Sequence, residues 1–133
     1  MTSKPFSELA KVYDLIFDEI EYDEWTEFTL ETLRSLGCTL KPGASVLDLA
    51  CGTGSSSLPY LRRGFQVSGA DFSAEMLSVA RAKLPGVPLF AQGFTELALP
   101  QRFDLISCVF DSLNNLTDPS DLELAFEIGR AHV

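Results

Sequence analysis

The residues best suited to chemistry lie in a short run, Asp48-Leu49-Ala50-Cys51-Gly52-Thr53-Gly54, and at Asp71, 17 residues further on. Two glycines allow the backbone to turn sharply and to approach a ligand closely. A helix that begins just after such a bend points the positive end of its dipole at that ligand. Alone, the bend is also what any strand-to-helix turn requires. Asp71 adds a carboxylate that accepts hydrogen bonds from both hydroxyls of a ribose, so bend and acid together specify a nucleoside site. A dinucleotide-binding turn has a third glycine, and here that position is Ser57. A pyrophosphate is disfavoured for that reason, and Asp48 would add negative charge beside it. A phosphate-free nucleoside with a cationic tail suits an acidic neighbourhood better.

These residues need elements to hold them in place. The stretch 44–50 (ASVLDLA) is an apolar run interrupted by Asp48, as in a strand buried on both faces. A helix is expected over 55–63, with Pro59 early in it. A second strand over 65–70 ends at Asp71, and Ser73 caps a helix over 74–83. Short strands follow over 87–91 and 102–110. Asp118-Pro119 opens a last helix, with Leu122, Ala125 and Phe126 on its apolar side. Strands that alternate with helices imply right-handed crossovers and a parallel sheet, with the ligand at the carboxyl ends of its strands. Two helices precede this core. One covers 6–19, with Leu9, Val12, Tyr13, Ile16 and Phe17 on one side. The other starts near Asp23, a plausible N-cap, carries an apolar stripe of Trp25, Phe28, Leu33 and Leu36, and ends at Gly37.

The stretches VLDLACGTGS and GADFSAEML resemble the nucleotide-proximal motifs of class I S-adenosylmethionine-dependent methyltransferases, and the likeness extends over roughly residues 10 to 131. It implies a Rossmann-like three-layer αβα sandwich with a mostly parallel sheet, and S-adenosylmethionine as cofactor. It also implies roles for particular residues. Ala50, Cys51, Gly52 and Gly54 would border the methionine moiety. Asp71 would bind the ribose, Phe72 would pack on the adenine, and Met76 would close the adenine pocket. Met76 has an equally ordinary reading as core packing, and Asp48 one as a group that orders the glycine loop. The segment Ala91-Gln92-Gly93-Phe94 resembles the motif at the adenine edge, with Gly93 and Phe94 as contacts. Many members carry an acid where this chain has Gly93. The run Cys108 to Leu116 resembles one that borders the reacting methyl group. Asp111 and Asn114 are its substrate-side candidates, and Asp111 is the general base if the acceptor needs deprotonation. Tyr13, within a region similar to the same subgroup, would reach over the cofactor. His132 has no assigned role.

The family sheet has seven strands in the order 3-2-1-4-5-7-6. The sequence accounts for strands 3-2-1-4, as one incomplete domain with an N-terminal helical cap over 1–40 and a core over 44–133. Strand four would then be an exposed apolar edge. A truncated gene product, or a homodimer that pairs through this edge, is the expectation.

Composition narrows the partners. With 46% hydrophobic residues in 133, the chain has the makings of one folded core. Its net charge of −9, concentrated at Glu8, Asp14, Asp18, Glu19, Glu21, Asp23, Glu24, Glu27 and Glu31, repels phosphate backbones and disfavours nucleic acid. Cys38, Cys51 and Cys108 show no metal or redox spacing, and a sparse, odd count fits a reducing compartment. No secretory leader or bilayer-spanning run is visible. A cytoplasmic methyltransferase that acts on a small molecule is the expectation, with a catalytically incomplete cofactor-binding or interaction module as the alternative.

Overall fold

The computed structural model describes residues 22–93, 95–108 and 119–133. Helix α1 (Tyr22–Ser35) is followed by strand β1 (Ser45–Leu49), helix α2 (Leu58–Arg62), strand β2 (Gln66–Ala70), helix α3 (Ala74–Lys83), strands β3 (Leu89–Phe90) and β4 (Leu105–Ser107), and helix α4 (Pro119–Ala131). The sheet has the order β3-β2-β1-β4, and every pairing is parallel. This is the expected 3-2-1-4 arrangement.

Strand β1 sits at the centre because its side chains are apolar in both directions. Val46 joins Leu30, Tyr60 and Val67 in the layer below α1 and α2. Leu47 and Leu49 join Ala70, Leu97 and Phe103 in the opposite layer, with Ile128 of α4 against them. Val46 and Leu47 are fully excluded from solvent, each contributing about 1.5–3 kcal/mol of burial. The register sets Asp48 opposite Gly69 on β2 and Ser107 on β4. The carboxyl ends of β1 and β2 therefore lie side by side.

Helix α2 starts three residues later than the sequence suggests. Proline fits only the first turn of a helix, and Pro59 stands there. Ser57, at the N-cap, makes no capping bond, because its hydroxyl is committed to Asp48. Helix α3 begins where expected. Ser73 Oγ accepts the Met76 N–H at 3.3 Å, and Arg81 and Lys83 complement the dipole at its far end.

Two strands are shorter than expected. At the start of β4, the Phe103 N–H donates to the His132 carbonyl at 2.7 Å instead of to the sheet. Asp104 clasps Ser45, giving its N–H to the Ser45 carbonyl at 2.9 Å and accepting the Ser45 N–H on Oδ2 at 2.9 Å. Pro88 has no N–H for the ladder, so ahead of β3 it offers only its carbonyl, to the Gly69 N–H at 2.9 Å.

Helix α1 lies on a different face from the one its apolar stripe indicates. Trp25, Phe28 and Leu36 are 51%, 62% and 76% exposed, whereas Thr26 and Leu30 are buried. Arg63, just past α2, grips Asp23 at 2.9 Å and Glu27 at 3.3 Å. Those two acids share the side of α1 that carries Thr26 and Leu30, so the ion pairs and the burial select one orientation. Asp23 lies inside the helix and holds Arg63, in place of the capping role its position suggests. Trp25 and Phe28 meet edge to face, 6.3 Å between centroids.

Candidate nucleoside-binding site

After β1 the chain enters the left-handed region at Ala50 (φ 59°), Gly52 (φ 56°) and Gly54 (φ 92°). The two glycines serve different ends. A side chain at Gly54 would run into Leu84 Cδ1 at 2.7 Å, so the bare Cα lets the loop close onto α3. At Gly52 such a side chain would meet only Met76 Sδ, 3.9 Å away in ordinary contact, so here it is the left-handed φ and not crowding that calls for glycine. Cys51, buried just ahead of them, gives its N–H to the Ala70 carbonyl at 3.1 Å and presses its thiol towards Gly69. Burial pushes that thiol far above the ordinary cysteine range, so it is an inert core group.

Asp71 turns towards this bend. Its Oδ2 accepts the Gly52 N–H at 2.9 Å and its Oδ1 accepts the Ser73 N–H at 2.8 Å. The bend and the acid, 19 residues apart, are thus joined directly. Burial raises the Asp71 carboxyl above its ordinary range, opposed by the bonds from Ser73 and Gly52. Each carboxylate oxygen accepts a second hydrogen bond, which leaves one position per oxygen for a pair of vicinal hydroxyls.

Asp48 faces inward. It is 1% exposed, and its Oδ2 accepts the Ser56 and Ser57 hydroxyls, each at 2.6 Å. Desolvation pushes its carboxyl up to about 6, and the Asp71 charge adds to that, while the two serine bonds oppose it. Its reach is to the loop that follows the glycines. Ser57, which marks a missing glycine in the sequence, is here the partner that makes a buried carboxylate tolerable.

On the base side, Phe72 keeps 47% of its surface exposed beside Asp71, and Met76 lies 3% exposed beneath Gly52. Gly93, after β3, brings its Cα close to the Phe72 side chain. Ala50, Cys51, Gly52, Gly54, Asp71, Phe72, Met76 and Gly93 therefore gather at the carboxyl ends of β1, β2 and β3. Tyr13, Phe94, Asp111 and Asn114 lie outside the described residues.

Sequence reading missed three groups at this end of the sheet. Lys83 reaches back from α3 to place Nζ 2.7 Å from Ser55 Oγ in the glycine loop. Glu96 accepts the Gly93 N–H on Oε1 at 3.0 Å. Ser56 shares Asp48 with Ser57. A helix-ending lysine and a glutamate in a polar loop carry no signal of such contacts, which depend on chain returns of 28 and three residues. Among the described residues there is no cluster of three or more His, Cys, Asp or Glu that would hold a metal ion, and no helix is long and apolar enough to cross a membrane.

A parallel sheet with a glycine bend and a strand-end acid meeting at its carboxyl edge defines a Rossmann-like nucleoside-binding domain. Residues 46–132 match the model of the methyltransferase domain family, and the chain belongs to that family. It is 35% identical over 128 residues to a dTDP-3-amino-3,6-dideoxy-alpha-D-glucopyranose N,N-dimethyltransferase of Streptomyces fradiae, covering 95% of this chain and 49% of that protein. It is 34% identical over 114 residues to the demethylmenaquinone methyltransferase of Streptomyces avermitilis, covering 85% and 48%. Among solved structures it is similar to S-adenosylmethionine-bound CalS10, an amino pentose methyltransferase from Micromonospora echinaspora, with a TM-score of 0.80, 28% identity, and coverage of 92% and 51%. The chain spans about half the length of the curated relatives it matches.

S-adenosylmethionine is the family's cofactor, and this site fits it. A side chain at Gly52 would fill the gap that its bare Cα leaves beside Met76, Asp71 has acceptor positions beyond its bonds to Gly52 and Ser73, and Phe72 lies 47% exposed next to it.

Proposed function

We propose that this chain is the cofactor-binding portion of an S-adenosylmethionine-dependent methyltransferase acting on a small molecule in the cytoplasm. The observation that carries the reading is the bond between Asp71 Oδ2 and the Gly52 N–H, which joins the ribose acceptor to the loop that would hold the methionine end. When bound, the cofactor supplies a methyl group already activated by a sulfonium. The work of the protein is then alignment and exclusion of water. Ala50, Cys51, Gly52 and Gly54 border the methionine end, and Asp48 positions their loop through Ser56 and Ser57. Asp71 takes the ribose hydroxyls, Phe72 packs on the base, Met76 supports it from below, and Gly93 and Phe94 lie at its edge. Tyr13 reaches over the cofactor. Asp111 and Asn114 face the acceptor, with Asp111 as base where one is needed. The relatives' acceptors, an amino sugar and a quinone by their names, support a small-molecule substrate, and the charge of −9 disfavours nucleic acid.

Calorimetric titration with S-adenosylmethionine tests the reading. Asp71→Ala removes two charge-assisted acceptors and is expected to weaken binding by about 2–4 kcal/mol. Unchanged affinity would remove Asp71 from the site and overturn the assignment. A second reading rests on β4: among the described residues only β1 pairs with it. The chain would then act as a cofactor-binding module that forms a homodimer through that edge. Light scattering at low micromolar concentration separates the readings, since a monomer that yields S-adenosylhomocysteine supports the enzyme and a dimer that yields none supports the module.

A further inference from the structure

We infer that Tyr60 is a positioning residue that, through the Ser107 hydroxyl, holds Asp48 in its ionised form beneath the glycine loop. Tyr60 is 2% exposed, and its hydroxyl is the one buried side-chain oxygen or nitrogen among the described residues that makes no hydrogen bond. The ring packs with Leu30, Val46 and Val67 in the layer below α1 and α2. Side chains two apart along a strand share a face, so Asp48 stands on the face of β1 that carries Val46. The register sets Ser107, itself buried, beside Asp48 at the end of β4. Burial pushes the Tyr60 phenol up from its ordinary range, and the neighbouring Ser107 and Thr29 hydroxyls oppose that rise. A carboxylate and an unspent phenol thus share one buried layer at the strand ends, with Ser107 between β1 and the helices.

Donors and acceptors decide what this layer does. Both bonds to Asp48 fall on Oδ2, from Ser56 and Ser57, so Oδ1 keeps its acceptor positions. Thr29 gives its own proton to the Trp25 carbonyl at 2.9 Å, so towards Tyr60 it only accepts. The donors left for the carboxylate are the Ser107 and Tyr60 hydroxyls. Tyr60 O–H donating to Ser107 Oγ, and Ser107 O–H to Asp48 Oδ1, uses each proton once and ends on the charge. Such bonds favour the ionised carboxyl, the more so in a low dielectric. The other charged or titratable groups acting on the layer are Asp71 at the end of β2, Cys51 in the bend and Arg63 after α2, and none of them bonds to Asp48. Asp23 and Glu27 of α1 are spent on Arg63. The bearing on the reaction rests on the cofactor reading above: a carboxylate that stays charged at neutral pH suits a cationic methionine end.

The test follows the Asp48 carboxyl carbon by NMR between about pH 4 and pH 8 in the full chain, in Tyr60→Phe and in Ser107→Ala, with calorimetric binding of S-adenosylmethionine over the same range. Tyr60→Phe keeps the ring and its packing. Its Asp48 midpoint is expected about one pH unit above that of the unaltered chain, the size of one hydrogen bond to a charged group. Ser107→Ala removes the link and gives the same rise, and the pH below which S-adenosylmethionine binding weakens moves up with it. A merely structural Tyr60 would change the melting temperature and leave the midpoint in place. An unchanged midpoint in Tyr60→Phe overturns the inference while the cofactor reading stands. Should that variant not fold, an unchanged midpoint in Ser107→Ala overturns it equally. Midpoints that move as expected in a chain that binds no S-adenosylmethionine support the link from Tyr60 to Asp48 and overturn the cofactor reading.

Discussion

The carboxyl ends of β1 and β2 and the flank where β4 meets α4 are held in different ways. At the strand ends, short-range devices dominate: left-handed backbone at Ala50, Gly52 and Gly54, the Ser73 cap, and paired serines on Asp48. The longer links from Asp71 to Gly52 and from Cys51 to Ala70 join strands already in register, and Lys83 reaches Ser55 from the end of α3. At the flank, the strand has three residues and leans on a distant residue, His132. The imidazole Nε2 accepts the Leu99 N–H at 3.1 Å and Nδ1 gives its proton to the Ile128 carbonyl at 2.7 Å. That bonding fixes the neutral tautomer. Its carbonyl then holds Phe103 at the entrance to β4. The strand ends gather the candidate site, whereas the flank depends on His132, through its side chain and its backbone, and on the Asp104 clasp of Ser45.

Three substitutions would break or sharpen this contrast. Gly54→Ala combines a φ of 92° with a contact of 2.7 Å to Leu84. It is expected to destabilise the chain by about 4 kcal/mol, from backbone strain and overpacking together, and to abolish cofactor binding. Thermal melting and calorimetry check both, and an unchanged melting temperature would show that the loop is looser than its geometry implies.

Asp48→Asn probes the buried charge. The Asp48 carboxyl rises from 3.8 to about 6 on folding, so between those values the folded chain keeps a proton that the unfolded chain has lost. Its favourable contribution is complete below 3.8 and is lost as pH rises through about 6, leaving a cost of about 3 kcal/mol at neutral pH. Melting between pH 4 and pH 8 is therefore expected to show the asparagine variant gaining on the parent chain as pH rises. A difference independent of pH would mean that the serines fully compensate the charge.

His132→Ala has the smallest expected effect, about 2 kcal/mol, because it strands the Leu99 N–H and the Ile128 carbonyl. Hydrogen exchange distinguishes the regions. Protection at Leu99 and Phe103 should fall while that of Leu47 and Val67 persists. Uniform loss would show that the two regions open as one unit.

Much of this was legible in advance. The alternation of buried runs and helices announced the parallel sheet. The spacing from Gly54 to Asp71 placed the two halves of the site at neighbouring strand ends, because one helix and one strand separate them. Ser73 declared its cap. The orientation of α1 was not legible: of its stripe of Trp25, Phe28, Leu33 and Leu36 only Leu33 is half-buried, because periodicity names a face without naming what lies beneath it. Arg63 decided that, from beyond the next strand. His132 was equally mute, since a lone histidine gains meaning only from the backbone groups brought to its two nitrogens.

The order of the elements, the glycine bend and the acid that meets it were determined by the sequence alone, because each depends on local conformational preference and on strand period. The tertiary structure decided that Asp71 bonds to the glycine bend while Asp48 turns to the serines after it, where Glu96 and Lys83 reach, and which side of α1 is covered. Those outcomes depend on hydrogen bonds and desolvation between segments that meet only once the chain has folded.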